Sequence, residues 1–244
     1  MLFRSRQSID GWIHRGTGGG TLMVGGRSVD PTTRPRLVVS VGRRALIDET
    51  LMPGPFLRFV SLPLAQTDTN AGDYAVLTVA GTGGAQVAIE QFDASSTRPL
   101  LGYGDGWHEQ ELDPRTGARW RWLSERGELR LRAEPRAVPA GAIRLHPVGL
   151  LTLHLEGESP RTYFSRGSRL VLHSGDRTVF DRVLADDFSL DVPLEDASDT
   201  IVLETDQAYI PAERSRRTQD RRHLGLRIFK AELRTQISEL RTKN

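Results

Sequence analysis

The run Arg36-Leu37-Val38-Val39-Ser40-Val41-Gly42-Arg43-Arg44-Ala45-Leu46-Ile47-Asp48 recurs without a gap as Arg169-Leu170-Val171-Leu172-His173-Ser174-Gly175-Asp176-Arg177-Thr178-Val179-Phe180-Asp181. In each copy two β-rich runs flank a glycine, the pattern of a β-hairpin with a tight turn. A repeat of this length restricts the chain to folds that can be built twice from one plan.

The rest of the chain has the same texture. Short strand-like runs such as Thr21 to Val24, Phe56 to Leu62, Tyr74 to Val79, Leu150 to Glu156 and Thr200 to Glu204 are separated by Gly, Pro, Asn and Asp. Within them apolar residues alternate, as Leu153 and Leu155 do against His154 and Glu156, which suits a sheet with one face on a core and one in water. The expected fold is all-β, two tandem antiparallel β-sandwiches of jelly-roll-like type. A short C-terminal helix is read from Leu233, Ile237 and Leu240 at helical spacing. The linker composition of Ser95-Ser96-Thr97-Arg98-Pro99 places the domains at 1–97 and 98–244, the second larger. Asp10-Gly11-Trp12 and Asp105-Gly106-Trp107 are taken as matching openings of the two units, with both tryptophans plugging the ends of the sandwiches.

Composition excludes several functions. Cysteine is absent, so thiol redox chemistry and thiolate metal sites are out. Lysine and arginine total 33 against 31 acidic residues, and the net charge is +2. The basic residues are interleaved with Asp and Glu, which gives no clustered face for nucleic acid. No window reaches the roughly 18 apolar residues of a membrane span, so direct membrane insertion is not expected. The six histidines have no metal-ligand spacing, and neither a metal nor a cofactor is expected.

Three polar features invite chemistry. The first is Gly104 to Pro114 followed by Arg119-Trp120-Arg121-Trp122, where tryptophans could stack on a sugar ring and charged groups could bond its hydroxyls. The candidate ligand-binding residues are Trp107, Glu109, Glu111, Trp120 and Arg121; alternating Trp120 and Trp122 read first as a core-filling pair. A glycoside hydrolase using Glu109 with Glu111 or Asp113 would need two carboxyl groups facing one cleft. The second feature, the basic run from Glu213 to Arg227, reads as a solvated loop. The third, Ser159 in Gly157-Glu158-Ser159-Pro160, lacks the second glycine and the following helix of a nucleophile elbow.

Several of these segments carry a resemblance. Val87-Ala88-Ile89-Glu90-Gln91-Phe92-Asp93, Gly106-Trp107-His108-Glu109 with Trp120-Arg121-Trp122-Leu123-Ser124-Glu125-Arg126, Gly157-Glu158-Ser159-Pro160, and Pro211-Ala212-Glu213 with Asp220-Arg221-Arg222-His223-Leu224-Gly225-Leu226 resemble C-terminal jelly-roll-like modules of bacterial membrane glycosyltransferases, of the dolichyl-phosphate-mannose mannosyltransferase type. The resemblance covers nearly the whole chain. It implies a non-catalytic, carbohydrate-binding-like accessory module of a cell-envelope enzyme, lying outside the cytoplasm, with glycan and the membrane portion of the transferase as partners. No catalytic residue transfers, because in such enzymes the catalytic acids sit in loops of the membrane portion. On this reading Met1-Leu2-Phe3-Arg4-Ser5, which matches the translated end of a sequencing adapter, begins an N-terminally truncated fragment. A ligand-free scaffold for partner docking is the alternative.

Overall fold

The computed structural model describes residues 2–3, 8–14, 20–62, 74–82, 87–96, 98–132, 151–184, 186–195 and 198–235. Two compact units emerge, residues 1–104 with 132–137, and residues 105–131 with 138–244. The division falls after Gly104 because Leu100 packs with Met23 and Leu57 of the first unit. The Gln91 amide also grips Tyr103, donating to its carbonyl at 2.8 Å and accepting from its N–H at 2.7 Å. Leu100–Tyr103 thus packs on the first unit.

The first unit holds β1 (Leu2–Phe3), β2 (Ser8–His14), β3 (Gly20–Ser28), β4 (Arg36–Val41), β5 (Arg44–Thr50), β6 (Gly54–Leu62), β7 (Tyr74–Thr82) and β8 (Val87–Ser95), followed by β9 (Leu100–Tyr103). Its sheets run β1-β8-β3-β6 and β2-β7-β4-β5. The antiparallel pairs β1·β8, β2·β7, β3·β6 and β4·β5 are those of one long hairpin wrapped into two sheets, the jelly roll.

The second unit repeats the plan with β10 (Glu111–Leu112), β11 (Arg119–Trp122), β12 (Arg126–Arg132), β13 (Leu151–Glu158), β14 (Ser168–Ser174), β15 (Arg177–Leu184), β16 (Asp187–Leu194), β17 (Thr200–Thr205), the single-turn α1 (Pro211–Arg214) and β18 (Arg227–Thr235). One sheet runs β10-β11-β18-β13-β16, and the other β15-β14-β17-β12-β9. The wrapped pairs are now β11·β18, β12·β17, β13·β16 and β14·β15, with β10 added outside β11.

The repeated hairpins are β4–β5 and β14–β15. Gly42 and Gly175 take φ of 58° and 57°, so both turns need the left-handed region that glycine occupies cheaply. The ladders shift register at the same place, between Val39 and Ser40 and between Leu172 and His173. Arg36 grips Asp48 through two bonds of 2.5 and 2.6 Å, and Arg169 grips Asp181 at 2.7 and 2.5 Å. Both carboxyls are held below their usual range by the guanidinium bond. These pairs are exposed and fix the register of the hairpin more than its stability.

Alternation builds the cores. Leu37, Val39 and Val41 point inward on β4 with Leu77 and Val79 of β7, and Leu170 and Leu172 point inward on β14 with Ile201 and Leu203 of β17. The central strand β13 departs from the expected half-polar pattern, since His154 on its outer face is also buried. Asp191 at 2.8 Å and Glu156 at 2.7 Å cover it and bond both its ring nitrogens. The expected C-terminal helix does not begin at Glu232, because β18 continues to Thr235 and Leu233 pairs with Leu153. Ile237 and Leu240 lie outside the described residues.

Candidate functional site

In a jelly roll the connections β11–β12, β13–β14 and β17–β18 gather at one end of the sandwich. Backbone bonds tie the first and last of these here: Gly225 donates to Leu123 at 2.8 Å, Leu123 to Leu226 at 2.9 Å, and Thr205 to Glu125 at 2.8 Å. Alternation on β11 puts Trp120 and Trp122 on one face. Trp122 joins Phe164, Tyr209 and Leu224 in a buried cluster, with half-buried Trp120 and Tyr163 around it. Tyr163 stacks on Tyr209 at 3.9 Å between centroids, while Trp122 and Phe164 meet Tyr209 edge-on at 6.0 and 6.1 Å. Tyr209 is held in place by reciprocal backbone bonds with Leu224 of 3.0 and 2.9 Å. Burial, with Tyr163 and Glu111 adding to it, raises the Tyr209 phenol well above its usual value and keeps it neutral.

Charged groups fringe this cluster. The Glu111 carboxylate accepts from the indole N–H of Trp120 at 3.1 Å, from that of Trp122 at 3.4 Å, and from Arg222 at 2.9 Å. Arg222 in turn clamps Asp220 at 2.7 Å, which keeps the Asp220 carboxyl below its usual range. The Arg227 guanidinium lies 5.1 Å from the Trp120 ring and 5.3 Å from the Trp122 ring, within cation–π range, and pairs with Glu158. Its Nε is buried without a hydrogen-bond partner among the described residues.

Of the residues expected at a ligand site, the structure brings Glu111 and Trp120 together and places the others elsewhere. Trp107 is 7% exposed, and its indole N–H donates to the Glu128 carbonyl at 3.0 Å. Arg121, 5% exposed, lies on the opposite face of β11 from the tryptophans and donates to the His108 carbonyl at 3.0 Å. Glu109 is exposed. Asp113 caps its own turn, accepting from the Arg115 N–H at 2.8 Å and the Thr116 hydroxyl at 3.0 Å, and these bonds hold its carboxyl below the usual range. Among the described residues no three His, Asp or Glu side chains are placed to hold a metal ion.

Sequence reasoning missed Tyr163, Tyr209, Arg222 and Arg227. The first two stand alone in loop sequence, and the arginines are hidden in a run that reads as solvated. The matching of Trp12 with Trp107 also fails: Trp12 is 76% exposed on β2, so it plugs nothing, whereas Trp107 precedes β10 and is buried.

Beside the cluster, His223 bonds Glu125 through Nδ1 at 2.5 Å. This bond and the carboxylate charge raise the His223 imidazole above its ordinary 6.5. Burial raises the Glu125 carboxyl, but the bond to His223 and its neighbours' charges outweigh burial and leave it below 4.5. The His223 contribution to stability is therefore complete below pH 6.5 and fades as pH rises through the folded-state value. The Glu125 contribution is complete above pH 4.5 and fades as pH falls through its own. A proton NMR titration should place the His223 midpoint above the ordinary imidazole value, and Glu125→Gln should lower it.

Fold and site together define a tandem jelly-roll protein with an aromatic cluster fringed by charge at one end of its second unit. No family model matches the chain, and no curated protein matches it. Among solved structures, it is similar to the M60 catalytic domain with the CBM51-1 and CBM51-2 domains from Clostridium perfringens ZmpB. Identity is 7% and the TM-score 0.26, with 95% of this chain and 34% of that chain covered. A likeness this slight identifies no function.

Proposed function

We propose that the chain is a non-catalytic carbohydrate-binding module whose second jelly roll holds a sugar ring at the Trp120–Tyr163 end. One observation carries the reading. Two half-buried aromatic rings stand at the edge of a buried aromatic cluster, fringed by Glu111, Arg222 and Arg227. Ring faces for stacking beside donors and acceptors for hydroxyl groups are what a sugar site requires. Glycan-array screening followed by calorimetry tests it. Trp120→Ala should weaken binding about tenfold or more with the fold retained, the scale of a lost aromatic contact. Equal binding by the variant, or no glycan bound by the parent chain, rejects the site.

The module is further proposed to serve a cell-envelope glycosyltransferase outside the cytoplasm, which the segments from Gly106 to Arg126 and from Asp220 to Leu226 support by resemblance. The second reading is a ligand-free scaffold. It draws on the Glu111 carboxylate, whose acceptors are already engaged by two indoles and Arg222.

A further inference from the structure

The first jelly roll contains an apolar gap between its sheets. Between β2 and β7 of one sheet and β8 of the other lies an apolar cavity of about 400 Å³, lined by Ile9, Ile13, Leu77, Val79, Ile89 and Phe92 and bordered by Trp12 and His14. Gly11 also lines it. It pairs with the inward-facing Leu77, so its side-chain direction is toward the core, and a Cβ built there meets nothing within 4 Å.

The duplication says what should fill that space. Val39 and Leu172 are equivalent in the repeated hairpins, and they pair with Val79 on β7 and Leu203 on β17. Two residues back along those strands, Leu77 and Ile201 face Gly11 on β2 and Leu129 on β12. Leu129 is 0% exposed, a core leucine where the first unit has glycine. The neighbouring pair is closed too. Ile9 corresponds to Gly127, and a Cβ on Gly127 would lie 2.5 Å from Leu123 and 3.0 Å from the Trp107 indole. In the second unit Trp107 and Leu123 therefore occupy this edge of the sandwich. In the first, Trp12 and Phe92 near this edge are 76% and 49% exposed.

We propose that the first jelly roll takes up the hydrocarbon tail of an uncharged amphiphile between its sheets, beside Gly11. The lining is aliphatic and aromatic, and of the described lining residues only His14 carries an ionisable group. An apolar void of about 150 Å³ already accepts benzene, so this one suits a chain of roughly ten to fifteen carbons. Its size lies in the range of ligand pockets, which are mostly apolar and largely pre-formed. The exposed edge at Trp12 and Phe92 leaves a polar head in water.

The test uses the whole chain with 1-dodecanol, and with tetraethylene glycol monododecyl ether below its micelle concentration, read by calorimetry and tryptophan emission. The parent chain should bind both, with a blue shift from Trp12 and a raised melting temperature. Gly11→Leu, which rebuilds the second unit's leucine, should fold normally and bind at least about tenfold more weakly. Ile89→Phe fills the gap from the opposite sheet and should do the same. Trp120→Ala should leave tail binding intact, which separates this site from the proposed sugar site. Failure of the parent chain to take up either probe overturns the proposal, as does binding by both filled variants at the parent's strength. A higher melting temperature of Gly11→Leu without uptake by the parent also overturns it, because the gap is then only a packing defect.

Discussion

Trp107→Ala should destabilise the second jelly roll by about 3 to 5 kcal/mol, the range for emptying a buried tryptophan site. The indole lies against Gly127, and its N–H meets the Glu128 carbonyl at 3.0 Å, so the substitution leaves a cavity and strips an acceptor of its partner. Chemical denaturation followed by amide exchange resolved along the chain checks this. Exchange should accelerate in Leu153, Leu155 and Leu203 while Leu37 and Val39 keep their protection. Loss of protection in both units alike would mean that they unfold as one. The sugar-binding reading makes a sharp contrast here: Trp107→Ala acts on melting, whereas Trp120→Ala acts on glycan affinity.

Gly26→Ala should damage the first jelly roll nearly as much. At the register shift between Gly25 and Gly26 the ladder with β8 is so tight that an added Cβ would fall on the Ala88 carbonyl. Both partners are backbone, so relief requires moving β3 away from β8. Overpacking of this kind costs about 1 to 3 kcal/mol or more. The second unit has the same device at Gly157, where β13 shifts register against β18 and a Cβ would meet the Arg227 carbonyl. Thermal melting of Gly26→Ala should show an early transition from the first unit; an unchanged melting curve would show that the strands separate at little cost.

The hairpins were legible because every constraint on them is local. Arg36 and Asp48 lie twelve positions apart on paired strands, and so do Arg169 and Asp181, so one run of sequence contains the turn, the alternation and the ion pair. Distance in sequence hid the rest. Tyr163 stacks on Tyr209 only because the β13–β14 and β17–β18 connections share an end of the sandwich. Trp12 and Trp107 share the tripeptide Asp-Gly-Trp, yet strand pairing matches Trp12 with Arg130, the neighbour of Leu129. Three identical letters carry less information than two ladders. Gly11 is an inward position of a strand, and its missing side chain matters more than its flexibility.

Both units close by joining their first strand to their last. In the second, Arg121 on β11 must wait for Ile228 on β18 before that ladder can form. At translation rates of about 5 to 20 residues per second, the wait is on the order of 5 to 20 s. During it Trp120 and Trp122 sit on an unpaired edge, the exposure that makes nascent β-proteins prone to wrong partners. The Arg-rich stretch before β18 arrives just ahead of the strand that covers that edge, so the order of synthesis delivers the cover and its charged fringe together.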